Sequence, residues 1–137
     1  MPCAGEAPYQ GPLEVYSIKY DPRGGMLVVS LGVDQRLLNG VRDELFVHMS
    51  VRVADPTGHG YVVNVPDARV VDAKRFAPRD PDRAGVVLTI PWDGQDRSGT
   101  PLTGGAKASY KAQLTKVSGG ARSMVGRAVA GFFPVIF

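Results

Sequence analysis

Between Glu44 and Ala54 the side chains alternate without a break. Leu45, Val47, Met49, Val51 and Val53 fall on one side, and Phe46, His48, Ser50 and Arg52 on the other. A period of two over this length fits a strand with one buried face. It does not fit a helix, whose apolar positions recur every three or four residues. Such a strand needs partners, and the chain offers several. Residues 13–20, 26–33, 61–65, 86–92, 107–117, 121–129 and 131–137 read as further strands, and residues 68–76 as a less regular one. Residues 26–33 are apolar on both faces for much of their length, which places them centrally in a sheet.

The breaks between these runs have physical causes. Asp21-Pro22-Arg23-Gly24-Gly25, Asp55-Pro56-Thr57-Gly58-His59-Gly60 and Ser118-Gly119-Gly120 combine residues that preset φ, cap local N–H groups or accept positive φ. The 17 Gly and 11 Pro are scattered with no collagen period, so they act as punctuation. Asp34 is placed to cap a short helical turn within residues 34–43, which Gly40 limits. Residues 77–85 form a polar loop. Seven to nine short strands without helix–strand alternation predict an all-β antiparallel sandwich. Residues 1–12, rich in Gly and Pro, read as a flexible arm, and residues 13–137 as one domain. With Cys3 as the only cysteine, no disulfide can form within the chain, and stability must come from packing.

The segment after the 86–92 strand carries a motif: Trp92-Asp93-Gly94, then Asp96, Gly99, Pro101, Gly104-Gly105 and Tyr110. Trp92 at a strand end can cover an open core edge. Asp93-Gly94 and Ser98-Gly99 are turn pairs, and Pro101 stiffens the return. This pattern, over residues 86–117, resembles the signature of the immunoglobulin-like domain associated with flagellar hook-capping proteins. Related modules sit at the C-terminal ends of bacterial secreted and surface proteins. The resemblance implies an immunoglobulin-like sandwich in which Trp92, Asp93, Gly94, Asp96, Gly99, Pro101 and Tyr110 are structural.

No set of residues in the sequence reads as catalytic. Asp93 and Asp96 lack the spaced acids and terminal Glu of an EF-hand, and His48 and His59 are two histidines without a nearby acid or cysteine. No Gly-x-Ser-x-Gly elbow or phosphate loop occurs, and nothing pairs Glu6, Glu14 and Glu44. The expectation is a protein with no enzymatic activity and no cofactor or metal.

Charge and the C-terminal run carry the functional expectation. Ten basic and thirteen acidic residues precede Arg97, whereas six basic residues and no acidic one follow from Arg97 onward. The first part therefore carries −3 and the second +6. The basic residues are dispersed and no nucleic-acid motif accompanies them, so nucleic acid is not expected as a partner. Residues 128–137 are apolar but too short to span a bilayer. They read as the last strand of the sandwich or as an edge that packs on a neighbour. For assembly the candidates are Phe132, Phe133, Val135, Ile136 and Phe137, with Lys107, Lys111 and Arg122 giving polarity. The leading expectation is a structural subunit or scaffold of a bacterial or phage surface assembly, built by self-association or with another subunit. It would be extracellular or at the cell surface if a leader was removed, or else in a virion. The alternative is a ligand-binding sandwich for carbohydrate or a protein, with Tyr9, Tyr16, Tyr20 and Tyr61 as its platform.

Overall fold

The computed structural model describes residues 11–38 and 44–135. Eight strands follow in order: β1 (Leu13–Asp21), β2 (Met26–Asp34), β3 (Glu44–Ala54), β4 (Gly60–Arg69), β5 (Lys74–Phe76), β6 (Arg83–Pro91), β7 (Ala106–Ser118) and β8 (Ala121–Val135). They form two four-stranded sheets, ordered β1-β2-β6-β5 and β4-β3-β7-β8, with every pairing antiparallel. In immunoglobulin lettering these are A-B-E-D and C′-C-F-G. The chain is thus an all-β antiparallel sandwich of eight strands, as the alternation and turn spacing predict, and its strand order is immunoglobulin-like.

The alternating side chains of the two inner faces meet in one core. Val47, Val51 and Val53 of β3 lie against Leu27, Val29, Leu31 and Val33 of β2, Val86 of β6 and Leu114 of β7, all at 1% exposure or less. The central placement of residues 26–33 holds, since β2 has a neighbour on both sides. Asp34 caps a 3-10 turn at Gln35–Leu37 by accepting from the Arg36 N–H.

Three local departures from the expected pattern have identifiable causes. Residues 68–76 are not one strand. β4 runs on to Arg69, a 3-10 turn at Val70–Asp72 buries Val70, and only Lys74–Phe76 rejoins a sheet. Pro66 does not end β4 because Val47 pairs with Ala68 and Met49 with Val65. Pro66 and Asp67 therefore fall in a bulge on an edge strand, where proline's missing N–H is tolerated. Residues 121–135 are likewise one strand rather than two. Ala112 pairs with Val129 and Leu114 with Val125, so residues 126–128 bulge opposite Gln113. Gly126 takes φ +71°, and Gln113 Nε2 donates to the Val125 and Gly126 carbonyls. Finally, Thr115 faces outward by register yet is only 7% exposed. Its cross-strand neighbour Phe46 carries the Arg122 guanidinium 4.9 Å from its ring centre.

On the outer face of the β1-β2-β6-β5 sheet, Gly32 and Gly85 are cross-strand partners. Tyr16 lies where a Cβ on Gly32 would sit, and Phe76 where one on Gly85 would sit. The two rings meet edge to face at 6.2 Å. A Cβ at Gly85 would come within 2.4 Å of the Phe76 carbonyl oxygen, a backbone atom with little room to retreat. Gly85→Ala should therefore push β5 away from β6 and destabilise the fold by about 1–3 kcal/mol. Chemical denaturation measures this directly.

Candidate functional site

The motif loop folds as a plug at one end of the sandwich. Trp92 closes β6, is 6% exposed, and donates its indole N–H to the Gln95 carbonyl at 3.0 Å. Tyr20 meets it edge-on at 5.4 Å, and Tyr61 stacks on it at 6.1 Å. Gly94 takes φ +78°, and a Cβ there would lie 2.8 Å from the Tyr20 hydroxyl. Asp93 accepts from the Gln95 N–H, and Asp96 from the N–H groups of Ser98 and Thr100. Gly99 turns at φ +83°, Gln95 and Pro101 bridge, and Leu102 returns to the core at 5% exposure. The sequence-predicted motif residues from Trp92 to Pro101 thus form one loop, tied to the indole through the Gln95 carbonyl. Tyr110 lies elsewhere, half-buried on β7, stacked on Phe133 at 5.6 Å.

One member of this end escapes a sequence reading. Asp55, seen there only as a turn residue, has a fully buried side chain. Its Oδ1 accepts from Thr57 N and Oγ1 and from His59 N, and its Oδ2 from Thr103 N and Oγ1. It thereby pins the β3–β4 turn to the loop before β7. The Thr57 hydroxyl at 2.6 Å heads the donors that hold the Asp55 carboxyl far below the usual carboxylate range, against the opposing effect of burial. Because the Thr57 hydroxyl donates to Asp55, His59 Nδ1, 2.7 Å from it, is the donor in that contact. The only sequence signal was Asp-Pro-Thr-Gly, which reads as a turn wherever it occurs.

Arg83 plays a similar part at the other end. Its buried guanidinium donates to the Gly11 carbonyl at 2.8 Å and lies 3.3 Å from Glu14 and 3.5 Å from Asp80. Glu14 and Glu44 are not a pair, since Glu44 is engaged by Arg69. His48 is exposed on β3, whereas His59, read from the sequence as lacking an acid nearby, has Asp55 3.7 Å away because their shared turn folds the two together. Among the described residues, no three His, Cys, Asp or Glu side chains come together as a metal-holding group. No helix among those residues is long and apolar enough to cross a membrane.

The proposed assembly residues divide by strand parity. On β8, Phe132 is 59% exposed and faces outward, whereas Val135 is 2% exposed and belongs to the core. Phe133 points inward against Tyr110 and lines an apolar cleft with Ile18, Tyr20 and Pro134, where β1 and β8 face each other. Burial raises the Tyr110 hydroxyl above its usual pKa, with the Glu14 charge adding to it. Ile136 and Phe137 lie outside the described residues. Lys107 and Lys111 are exposed on β7. Arg122 pairs with Asp67 at 2.8 Å. Of the tyrosines considered as a ligand platform, Tyr20 and Tyr61 pack on Trp92, and Tyr16 on Phe76 with its hydroxyl buried. Tyr9 lies outside the described residues. The three described rings therefore make no common exposed platform.

No family model matches the chain, and neither a curated protein nor a solved structure matches it. The fold defines the class, an eight-stranded antiparallel β-sandwich with immunoglobulin-like strand order.

Proposed function

We propose that this chain is a non-enzymatic structural subunit or scaffold module of a bacterial or phage surface assembly, such as a filament or pilus-like appendage, associating through its termini and sheet edges. The observation that carries this reading is β8. It is a fifteen-residue strand at the edge of its sheet, with β7 as its one strand neighbour among the described residues. An edge of that length offers a row of backbone donors and acceptors to another strand. Met124 and Phe132 add apolar side chains, 74% and 59% exposed. The bulge at residues 126–128 divides the edge into two pairing segments rather than removing it. The resemblance of residues 86–117 to modules of hook-capping and surface proteins points the same way. So does the motif loop, in which the acids cap backbone N–H groups.

Light scattering coupled to size-exclusion chromatography tests the reading. The wild-type chain should exceed monomer mass as its concentration approaches about 1 mM, the range in which weak edge contacts populate. Met124→Lys with Phe132→Lys, both at exposed positions, should return it to a monomer, because lysine on an edge opposes strand addition. A wild-type chain that stays monomeric throughout contradicts the proposal, as does a double variant that still assembles.

A further inference from the structure

The outward face of the β4-β3-β7-β8 sheet has a charge arrangement that the fold does not require. Its four strands carry seven basic residues and two acidic ones. The two acids are already engaged, Glu44 by Arg69 and Asp67 by Arg122. Both lie at the end of the sheet near the β7–β8 turn. Toward the other end stand Arg52, Lys107 and Lys111, all exposed, and none has a carboxylate within ion-pair distance among the described residues.

Register fixes how these cations sit. Arg52 pairs with Ser109, Ala54 with Lys107 and Ser50 with Lys111. Arg52 is therefore the diagonal neighbour of both lysines, about 7–8 Å away at the backbone. The two lysines are four residues apart along β7, about 13 Å. Between them Ser109 pairs with Phe132, whose exposed ring lies 5.1 Å from Lys107 Nζ. Ser50, Ser109 and Ala130 make a low floor, so the cations and the ring stand clear of it. Three neighbouring like charges raise the free energy of this face when nothing is bound to it.

The order of residues across the sheet narrows the partner. One row reads Val62, Arg52, Ser109, Phe132 from β4 to β8. Charge is at the centre and apolar side chains at the rims. A stable protein interface has the reverse order, an apolar centre inside a polar rim. Single-stranded nucleic acid is held on successive aromatic platforms along a groove, and among the described residues this face carries one exposed ring, Phe132. A polymer with a carboxylate on each ring and an apolar C–H face for an aromatic side chain fits both features.

We propose that this face binds an acidic polysaccharide of the uronate type, with Arg52, Lys107 and Lys111 holding carboxylates and Phe132 stacking on a sugar ring. The inference does not depend on assembly, because the three cations lie on the inner strands β3 and β7, and Phe132 alone is shared with the β8 edge. Titration of the full chain with polygalacturonate at low salt tests it, run in parallel with the fully methyl-esterified polymer, polyglutamate and oligo-dT. Binding should be tightest to polygalacturonate, absent for the ester and weakened by salt. Arg52→Gln with Lys111→Gln should weaken it by roughly tenfold. Phe132→Ala should weaken it by about threefold without affecting polyglutamate. Tighter binding to polyglutamate would point to an acidic protein, and tighter binding to oligo-dT to nucleic acid, and either overturns the proposal. So does a double variant that binds as well as wild type. A monomer that binds polygalacturonate would sustain this inference while removing the assembly reading.

Discussion

Replacing Trp92 by alanine should destabilise the domain by about 3–5 kcal/mol, the range for truncating a large buried aromatic. The side chain is 6% exposed and sits where β6 leaves the sheet. Removing it leaves Tyr20 and Tyr61 without the ring they pack on, and leaves the Gln95 carbonyl without its indole donor. The loss should reach the loop as well as the core, because the Gln95 carbonyl that takes the indole N–H lies between the Asp93 and Asp96 turns. Trp92→Phe keeps much of the apolar contact but not the N–H, and should recover more than half of the lost stability. Guanidinium unfolding of the three proteins measures both effects. A Trp92→Ala domain as stable as wild type would mean that the motif loop does not close the core.

Asp55 should be the aspartate whose loss costs most. Asp55→Ala should lower Tm by on the order of 10 °C, well beyond the effect of Asp93→Ala or Asp96→Ala. Its ionised carboxylate accepts at both oxygens, so a proton on either one disrupts part of the set, and the Thr103 bonds join segments 48 residues apart. The pH dependence follows in sign. A folded pKa held below the unfolded value means that the unfolded chain binds the proton more readily. The stabilisation is fully present above the ordinary Asp range near pH 3.9. It is lost as pH falls below that range toward the folded pKa. Wild type should therefore lose stability on acidification more steeply than Asp55→Asn, and the two should converge at low pH. Thermal melts of both proteins between about pH 2 and 7 test this; parallel curves would show that Asp55 does not carry the linkage.

Much of this fold is legible in the chain because side-chain alternation reports a buried face locally. The β3 run identifies its own inward residues, and the Asp-Pro-Arg-Gly-Gly and Ser-Gly-Gly turns mark hairpins. What depends on distant partners is not legible. Asp55 reads as a turn residue until Thr103 is placed beside it, and Arg83 as a loop charge until Gly11 and Glu14 are. Pro66 looks like a strand terminator because its bulge is defined only by the register of β3. The C-terminal run misleads differently. Its apolar character suggests a single surface, but parity sends Phe132 outward and Phe133 and Val135 inward. The register of β8 on β7 separates them, since it sets Gly131 against Tyr110 on the inward side. The charge asymmetry was visible in composition, whereas the joining of Arg52, from the net-negative first part, to Lys107 and Lys111 needed the pairing of β3 with β7.

The assembly reading rests on β8 offering to another chain the edge that no strand among the described residues occupies. Amide hydrogen exchange, followed residue by residue at dilute and at high protein concentration, examines that edge directly. The β8 amides that point away from β7 should exchange quickly when dilute and slow markedly on concentration, while those of β2 and β6 stay unchanged. Equal exchange at both concentrations, or protection that grows on another element instead, would contradict it.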